Sequence, residues 1–409
     1  MVRIALISDI HFGRFSRTAE LSVPGEPIKD ENAGGISLTE SLISVLKKTN
    51  TQYLCIAGDL TSLGSPQEFF NCEKALLDIA DRAEIPRDNV ILGLGNHDID
   101  WKISDLYSNF EKMPPDFPHD LVREKYREMA AQAALINIEN IPPLNKTGPA
   151  PYTGIIENKD FVMFVLNTGC YSTRDQSFPR GKLDAKQLEW FESIAKEYSA
   201  DSRWKIVMMH HHPFNYSFPI PGPDISTLEE GSRFLEIAGQ NGIRLVLHGH
   251  RHHPRAETDQ KNGWNYPITF ICAGSLAVNA AHRHGEIPNT LHIIDLSDEV
   301  GVLELYSYQF SSALGWIPIK SNCPETPIDH KMLLGKIFDA DKRIQAIKDL
   351  SEPAEMVYEV TWESLDESLR FLPVDKLNQQ ITEQLSNTHK MIGSFPNDVV
   401  LIRKEANHG

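Results

Sequence analysis

The chain has 409 residues, 41% of them hydrophobic and 23% charged, and a formal net charge of −16. This is ordinary globular composition, long enough for one large domain with an appendage or for two domains. The acidic balance argues against nucleic acid held through the bulk field, though bound metal would still make a local positive site, and no run of about 18 apolar residues offers a membrane span.

In chain order, the first apolar run, VRIALIS, reads as a buried strand and leads straight into Asp9. That leaves no room for the charged and apolar regions of a signal peptide. Residues 12–35 are rich in Pro, Gly and charge and read as a loop. Helical patterns over Leu38–Lys48, Pro66–Ala83, Leu121–Ile138, Asp184–Tyr198 and Thr227–Asn241 alternate with the strand-length runs QYLCIAG, VILGLG, FVMFVLN, WKIVMMH and IRLVLHG. Ser65 before Pro66 reads as the N-cap of the second helix. Three further strands follow, ITFICAG, TLHIIDL and VLELYSY. The alternation predicts an α/β layered architecture.

After about residue 310 the pattern changes. Trp316–Pro327 reads as a linker, followed by a helix (His330–Leu350), a strand (Met356–Trp362), a helix (Val374–Lys390) and a strand (Val399–Arg403). The expected organisation is a catalytic domain over 1–310 and an α+β appendage over 311–409 that packs on it, caps it or joins two copies as a homo-oligomer. Residues 310–409 carry 11 Lys+Arg against 15 Asp+Glu, so the tail is not a basic nucleic-acid arm. The five cysteines are scattered with no C-x-x-C spacing. They read as reduced structural thiols, and with the missing leader they predict a cytoplasmic protein.

The reactive residue types cluster just after the apolar runs, where α/β sheets gather their ligand sites. In order they are Asp9-Ile-His11, Gly58-Asp59, Gly95-Asn96-His97-Asp98, His211-His212-Pro213 and Gly249-His250-Arg251-His252. Singly these are weak signals; together they predict a metal site. Two cations about 3.5–4 Å apart repel, and a carboxylate between them, for which Asp59 is the natural choice, relieves that repulsion. Mixed nitrogen and oxygen donors without thiolate suit Mn, Fe, Zn or Co rather than calcium. Residues two apart on a strand share a side, so D-x-H and H-x-H can aim two ligands at one centre.

The five blocks resemble the signature of calcineurin-like metallophosphoesterases: D-x-H, G-D, G-N-H-D/E, H-x-P and G-H-x-H. The pattern spans positions 9 to 252. The resemblance implies a four-layer α-β-β-α sandwich of two mixed sheets flanked by helices. It implies one metal on Asp9, His11, Asp59 and His252, and a second on Asp59, Asn96, His211 and His250. A hydroxide bridging the metals would attack phosphorus, with His97 contacting the phosphate and protonating the leaving oxygen. In HHHP the residue two before the proline is His211, which selects it over His210 and His212. Asp98 either holds His97 in its working tautomer or caps the next helix.

The text GDLTSLG and GNHD lacks the arginine block of the protein phosphatases of this superfamily. Ser62 stands where purple acid phosphatases place a tyrosine ligand. The remaining pattern is similar to class III cyclic-nucleotide phosphodiesterases and related bacterial phosphoesterases. The expected activity is therefore hydrolysis of a small phosphodiester. A nuclease on the same core is the alternative, and a protein-binding scaffold is a third, weakened because every ligand position is filled. Candidate substrate contacts are Arg174, Arg180, Tyr216 and His282, the arginines because guanidinium pairs with phosphate in bidentate fashion.

Overall fold

Short β-branched runs bounded by turn residues form strands that are buried on both faces. In the computed structural model the described residues are 2–99, 146–150, 152–172, 180–215, 226–283, 287–319, 328–353, 355–395 and 397–404. The helix expected over Leu121–Ile138 lies outside them, as do Arg174 and Tyr216. In chain order the strands of the main body are β1 (Val2–Ile7), β2 (Tyr53–Ala57), β3 (Val90–Gly93), β4 (Lys146–Thr147), β5 (Gly154–Glu157), β6 (Phe161–Val165) and β7 (Trp204–Met208). They continue with β8 (Leu245–His248), β9 (Pro254–Asp259), β10 (Ile268–Ala273), β11 (Thr290–Leu296), β12 (Leu303–Ser311), β13 (Gly315–Pro318) and β14 (Lys331–Leu334). The main helices are α1 (Leu38–Lys48), α2 (Pro66–Arg82), α3 (Ala185–Glu197) and α4 (Gly231–Gln240).

One sheet runs β13-β12-β11-β1-β2-β3, with β14 also paired to β12; the other runs β4-β5-β6-β7-β8-β10-β9. Within the first, β1, β2 and β3 are parallel. Within the second, β6, β7, β8 and β10 are parallel. Alternate residues of facing strands, among them Leu6, Cys55, Ile91, Met163, Ile206, Met208, Leu247 and Ile294, form one core between the sheets. The opposite parity, Ala5, Ile7, Leu54 and Leu92, packs under α1 and α2 with Leu42, Leu46, Phe69 and Leu76. Val207, Met209 and Val246 do the same under α3 and α4 with Phe191, Phe234 and Ala238. The result is the expected α-β-β-α sandwich of mixed sheets. Full burial of each large side chain stabilises it by about 1.5–3 kcal/mol.

The helices start where the sequence signals them. Ser65 accepts from the Glu68 N–H while Glu68 reaches back to the Ser65 N–H at 3.0 Å, a capping box with Pro66 in the first turn. Asp184 caps α3 on the Gln187 N–H at 2.7 Å.

The boundary placed at 310/311 does not hold as a structural break. β13 and β14 both pair with β12, and Trp316 is buried against Phe310 with its indole N–H on the Leu38 carbonyl. Lys331–Leu334, expected as the start of a helix, is a strand because burial alternates there: Met332 and Leu334 face the core between the sheets. Helix α5 (Ala340–Asp349) begins only after the Asp339 cap. From there the chain adds β15 (Val357–Val360), α6 (Glu367–Arg370), α7 (Val374–Leu385), β16 (His389–Ile392) and β17 (Val399–Arg403). The three strands form a separate antiparallel sheet, β15-β17-β16. Ile347, Leu369, Leu377, Ile381, Val399 and Leu401 form a core of their own, and Lys336 spans Glu299 and Glu367 at 3.0 and 2.6 Å.

This division predicts different outcomes for two truncations. A chain ended after Phe338 keeps β14 and retains the cooperative thermal unfolding of the two-sheet body. A chain ended after Ile319 loses Met332 and Leu334 from the core and unfolds at markedly lower temperature, at about 2–5 kcal/mol per large side chain removed. Equal stability of the two would show that β14 is dispensable and that the earlier boundary is the right one.

Candidate metal centre

The loops that leave β1, β2, β3, β7 and β8 all emerge at the carboxyl ends of the parallel strands, and there the two sheets meet. The β1 exit runs beside the β2 exit, with the Asp9 N–H on Gly58 O and the His11 N–H on Asp59 O, both at 3.0 Å. The His250 N–H donates to Asp9 Oδ2 at 3.0 Å and so ties the second sheet to the first. The backbone here is strained. Asp9, His11, Asp59, His250 and His252 have φ of 51°, 47°, 51°, 74° and 54°, and they are five of the eight non-glycine described residues with positive φ. Such conformations cost about 1–3 kcal/mol each and gather at functional sites. Gly95 and Gly249 are needed for a different reason. A Cβ on either would sit inside van der Waals contact of Asp59 or of Ser8 and Asp9.

Three donor groups lie close together: Asp9, His11 and His252; His11, Asp59 and His97; Asp59, His210 and His250. Asp59 belongs to two of them. Its Oδ2 is 3.5 Å from His11 Nε2 and 3.1 Å from His210 Nε2, while its Oδ1 accepts from the His97 N–H at 2.8 Å. On one side Asp9 Oδ1 lies 3.1 Å from His252 Nε2 and 3.9 Å from His11 Nε2. On the other, His210 Nε2 lies 3.2 Å from both Asn96 Oδ1 and His250 Nδ1.

His211, the residue selected by its spacing from Pro213, is not in this second group; His210 is. Strand parity is the reason. Trp204, Ile206 and Met208 point into the core between the sheets, and His210 continues that face. Val207 and Met209 point under the helices, and His211 continues theirs, with Nδ1 2.8 Å from Thr168 Oγ1. The extended pairing persists past the strand end, as Met209 N–H to Leu247 O and Gly249 N–H to His210 O attest. The signal that finds His210 is therefore the alternation of WKIVMMH carried two residues further.

Three imidazoles share one arrangement. Nδ1 of His210 faces Ala57 O at 2.8 Å, Nδ1 of His97 faces Ser62 O at 2.9 Å and Nδ1 of His252 faces His282 O at 2.9 Å. A ring nitrogen at that distance from a carbonyl carries the proton, so Nε2 is turned into the site as a lone pair when the ring is neutral. Asp98 does not orient His97. Its carboxylate accepts from the Thr61 N–H and the Gly95 N–H, both at 2.9 Å, and from the Thr61 hydroxyl at 3.2 Å. It braces the loop after β3 against the loop after β2, and burial beside Asp59 pushes it up to about 7. Ser62 is a functional residue that the motifs do not mark: its carbonyl sets His97 and its hydroxyl donates to His11 O at 2.7 Å.

Among the other candidates, Arg180 is exposed. His282 reaches the site through its backbone carbonyl and packs its ring 4.2 Å from Phe15. Phe214, just after the histidine run, packs edge-on to Phe270 at 4.8 Å.

The residues fit a pair of cations. His210 Nε2, Asp59 Oδ2, Asn96 Oδ1 and a nitrogen of His250 are acceptors converging on one point. Asp9 Oδ1 and both ring nitrogens of His11 are buried with no aligned hydrogen bond, an expensive state for polar atoms unless a cation answers them. Burial raises the Asp9 carboxyl, but the imidazoles of His252, His11 and His210 outweigh it and hold it well below the usual range. Burial also keeps His250 far below the ordinary imidazole value and His97 down at about 4. It works against the proton on His210 too, yet the facing Asp59 carboxylate wins and raises that ring to about 9. Ionised carboxylates and deprotonated rings are the ligating forms, so a cation bound here would take the place of the proton that Asp59 holds on His210. Without thiolate the donor set suits Mn, Fe, Zn or Co.

The calcineurin-like phosphoesterase family matches residues 2–254, which contain all the blocks described above. Nothing among curated proteins matches the chain. Among solved structures, a dimetal phosphatase from Danio rerio is 11% identical, with 82% of this chain and 98% of that chain covered and a TM-score of 0.47. A purple acid phosphatase from yellow lupin (Lupinus luteus) seeds is 13% identical, covering 75% of this chain and 51% of its own, with a TM-score of 0.45. Vacuolar Protein Sorting 29 from Cryptosporidium parvum is 13% identical, covering 76% and 92%, with a TM-score of 0.31. With more than half its length matched, and with a two-metal donor set where the matched blocks converge, the chain belongs to the calcineurin-like phosphoesterase family.

Proposed function

We propose that the protein hydrolyses a small phosphodiester, a cyclic nucleotide or a related diester, at this centre. The observation that carries the reading is Asp59: one carboxylate stands between two complete donor groups. In this reading Asp9, His11, Asp59 and His252 hold one cation, and Asp59, Asn96, His210 and His250 hold the other. Bound by these residues, a cation pair would supply Lewis-acid chemistry, polarising a phosphoryl group and lowering the pKa of a water for in-line displacement.

The chain's own residues orient and protonate. Ser62, Ala57 and His282 fix three imidazoles through backbone carbonyls, so their Nε2 atoms are aimed before substrate arrives. His97 lies beside Asp59 and His11, with ring centroids 4.6 Å apart in the latter pair. With Nδ1 committed to Ser62, Nε2 is its atom for the phosphate and for the leaving oxygen. An entering phosphate anion adds to the pull of Asp59 on the His97 proton and opposes the effect of burial. A nuclease on the same core is disfavoured by the charge of −16. A scaffold role leaves the filled donor set without a purpose.

Assay of metal-reconstituted protein against phosphomonoesters and phosphodiesters tests the reading. Faster hydrolysis of diesters supports it, and a preference for monoesters removes the diester assignment. His97→Ala is expected to keep both metals by elemental analysis and to lower kcat by about 10²–10⁴-fold on a substrate with a poor leaving group. Full rate in that variant would remove His97 from the chemistry. His210→Ala is expected to lose one metal equivalent and at least about 100-fold in rate, while His211→Ala keeps both metals. The reverse ranking would restore the spacing-based choice.

A further inference from the structure

Three residues after His11, the loop that leaves β1 carries Arg14 and Phe15. Phe15 is fixed at both ends of its backbone: its N–H donates to Ser62 Oγ at 3.1 Å and its carbonyl accepts from the Asn279 N–H at 2.9 Å. Its ring stands 6.0 Å from the rings of both His11 and His97 and 4.2 Å from that of His282. The Arg14 guanidinium lies over the Phe15 ring, with Cζ 4.8 Å from the centroid. Arg14 is exposed and has no carboxylate partner among the described residues, in a chain with 56 acidic side chains.

The opposite side of this group is also braced. Glu31 accepts from the Ala280 N–H at 2.8 Å and lies 3.6 Å from Arg283, so the turn that carries His282 is tied to the loop after β1. The His282 side chain is exposed while its carbonyl stays on His252. An aromatic ring and an imidazole whose backbones are pinned therefore stand beside the metal centre, with a guanidinium that has no carboxylate partner among the described residues over the aromatic ring.

We propose that Arg14, Phe15 and His282 form a ledge for a planar ring carried by the ester group that stays on the phosphorus, not by the leaving group. The substrates are then phosphodiesters whose retained alcohol is a nucleoside or another ring carrier, not a small alkyl alcohol; this rests on the phosphodiesterase reading above. Stacking on aromatic faces and on guanidinium recognises any flat π-system with little regard to its hydrogen-bonding edge. Because the backbones that carry Phe15 and His282 are already pinned, binding such a ring orders only side chains.

The test uses two diesters with the same leaving group, thymidine 5′-(p-nitrophenyl) phosphate and methyl p-nitrophenyl phosphate, on the full chain loaded with Mn. The wild type is expected to favour the thymidine ester in kcat/KM. Phe15→Ala and His282→Ala are expected to lower kcat/KM for the thymidine ester about tenfold, with less than about threefold loss on the methyl ester. His282→Ala keeps the carbonyl that orients His252, so its metal content stays at the wild-type value and it guards against a folding defect in Phe15→Ala. Arg14→Ala is expected to shift the ratio in the same direction. A parallel fall on both esters, or an unchanged ratio in His282→Ala and Arg14→Ala, would overturn the ledge. Failure of the metal-loaded wild type to cleave either diester would overturn the phosphodiesterase reading itself.

Discussion

The site depends on one carboxylate. Asp59 follows β2 in a left-handed conformation, and its two oxygens do different work. Oδ1 accepts from the His97 backbone and so fixes the loop after β3, while Oδ2 faces donors from β1 on one side and from β7 on the other. Because His11 belongs to the first sheet and His210 to the second, the carboxylate spans the seam between them. The seam has to be closed at this end for the two donor groups to share a ligand. The core of Leu6, Ala57, Met208 and Leu247 directly beneath it closes it.

That dependence explains why the chain tolerates so much strain in one place. Five left-handed residues and several crowded glycines are held by strands whose hydrogen bonds and buried faces over-determine their exits. Asp98 contributes in the same way, pinning Thr61 and Gly95 from a buried position rather than acting on the imidazole next to it. A rigid layered body thus carries a set of loops whose conformations would not persist alone.

Much of this is legible in the sequence. The buried strands announce themselves as short β-branched runs, and the helix starts follow from Ser65, Pro66 and Asp184. The motif residues fall at strand ends, and Asp9, His11, Asp59, Asn96, His250 and His252 do converge. What spacing alone cannot give is the frame of the histidine run, because counting back from Pro213 ignores which face of β7 each residue inherits. β9, PRAETD, escapes notice because an edge strand pairs on one side and has no need of an apolar pattern. β14 is hidden inside a helical-looking stretch, where four residues of alternating burial are outweighed by the capped helix after them. The role of Ser62 is a backbone role, and a carbonyl leaves no trace in residue type.

The same backbone character has an evolutionary corollary. The groups that orient His97, His210 and His252 are the carbonyls of residues 62, 57 and 282, so side-chain replacement at these positions does not remove them. At 57 the side chain is locked in the core, but at 282 it points outward. Position 282 can therefore drift through many residue types while the imidazole it supports keeps its tautomer. With His282 in the proposed ledge, a lineage could retune which molecules it accepts by single-nucleotide changes there, with the carbonyl that orients His252 kept at every step.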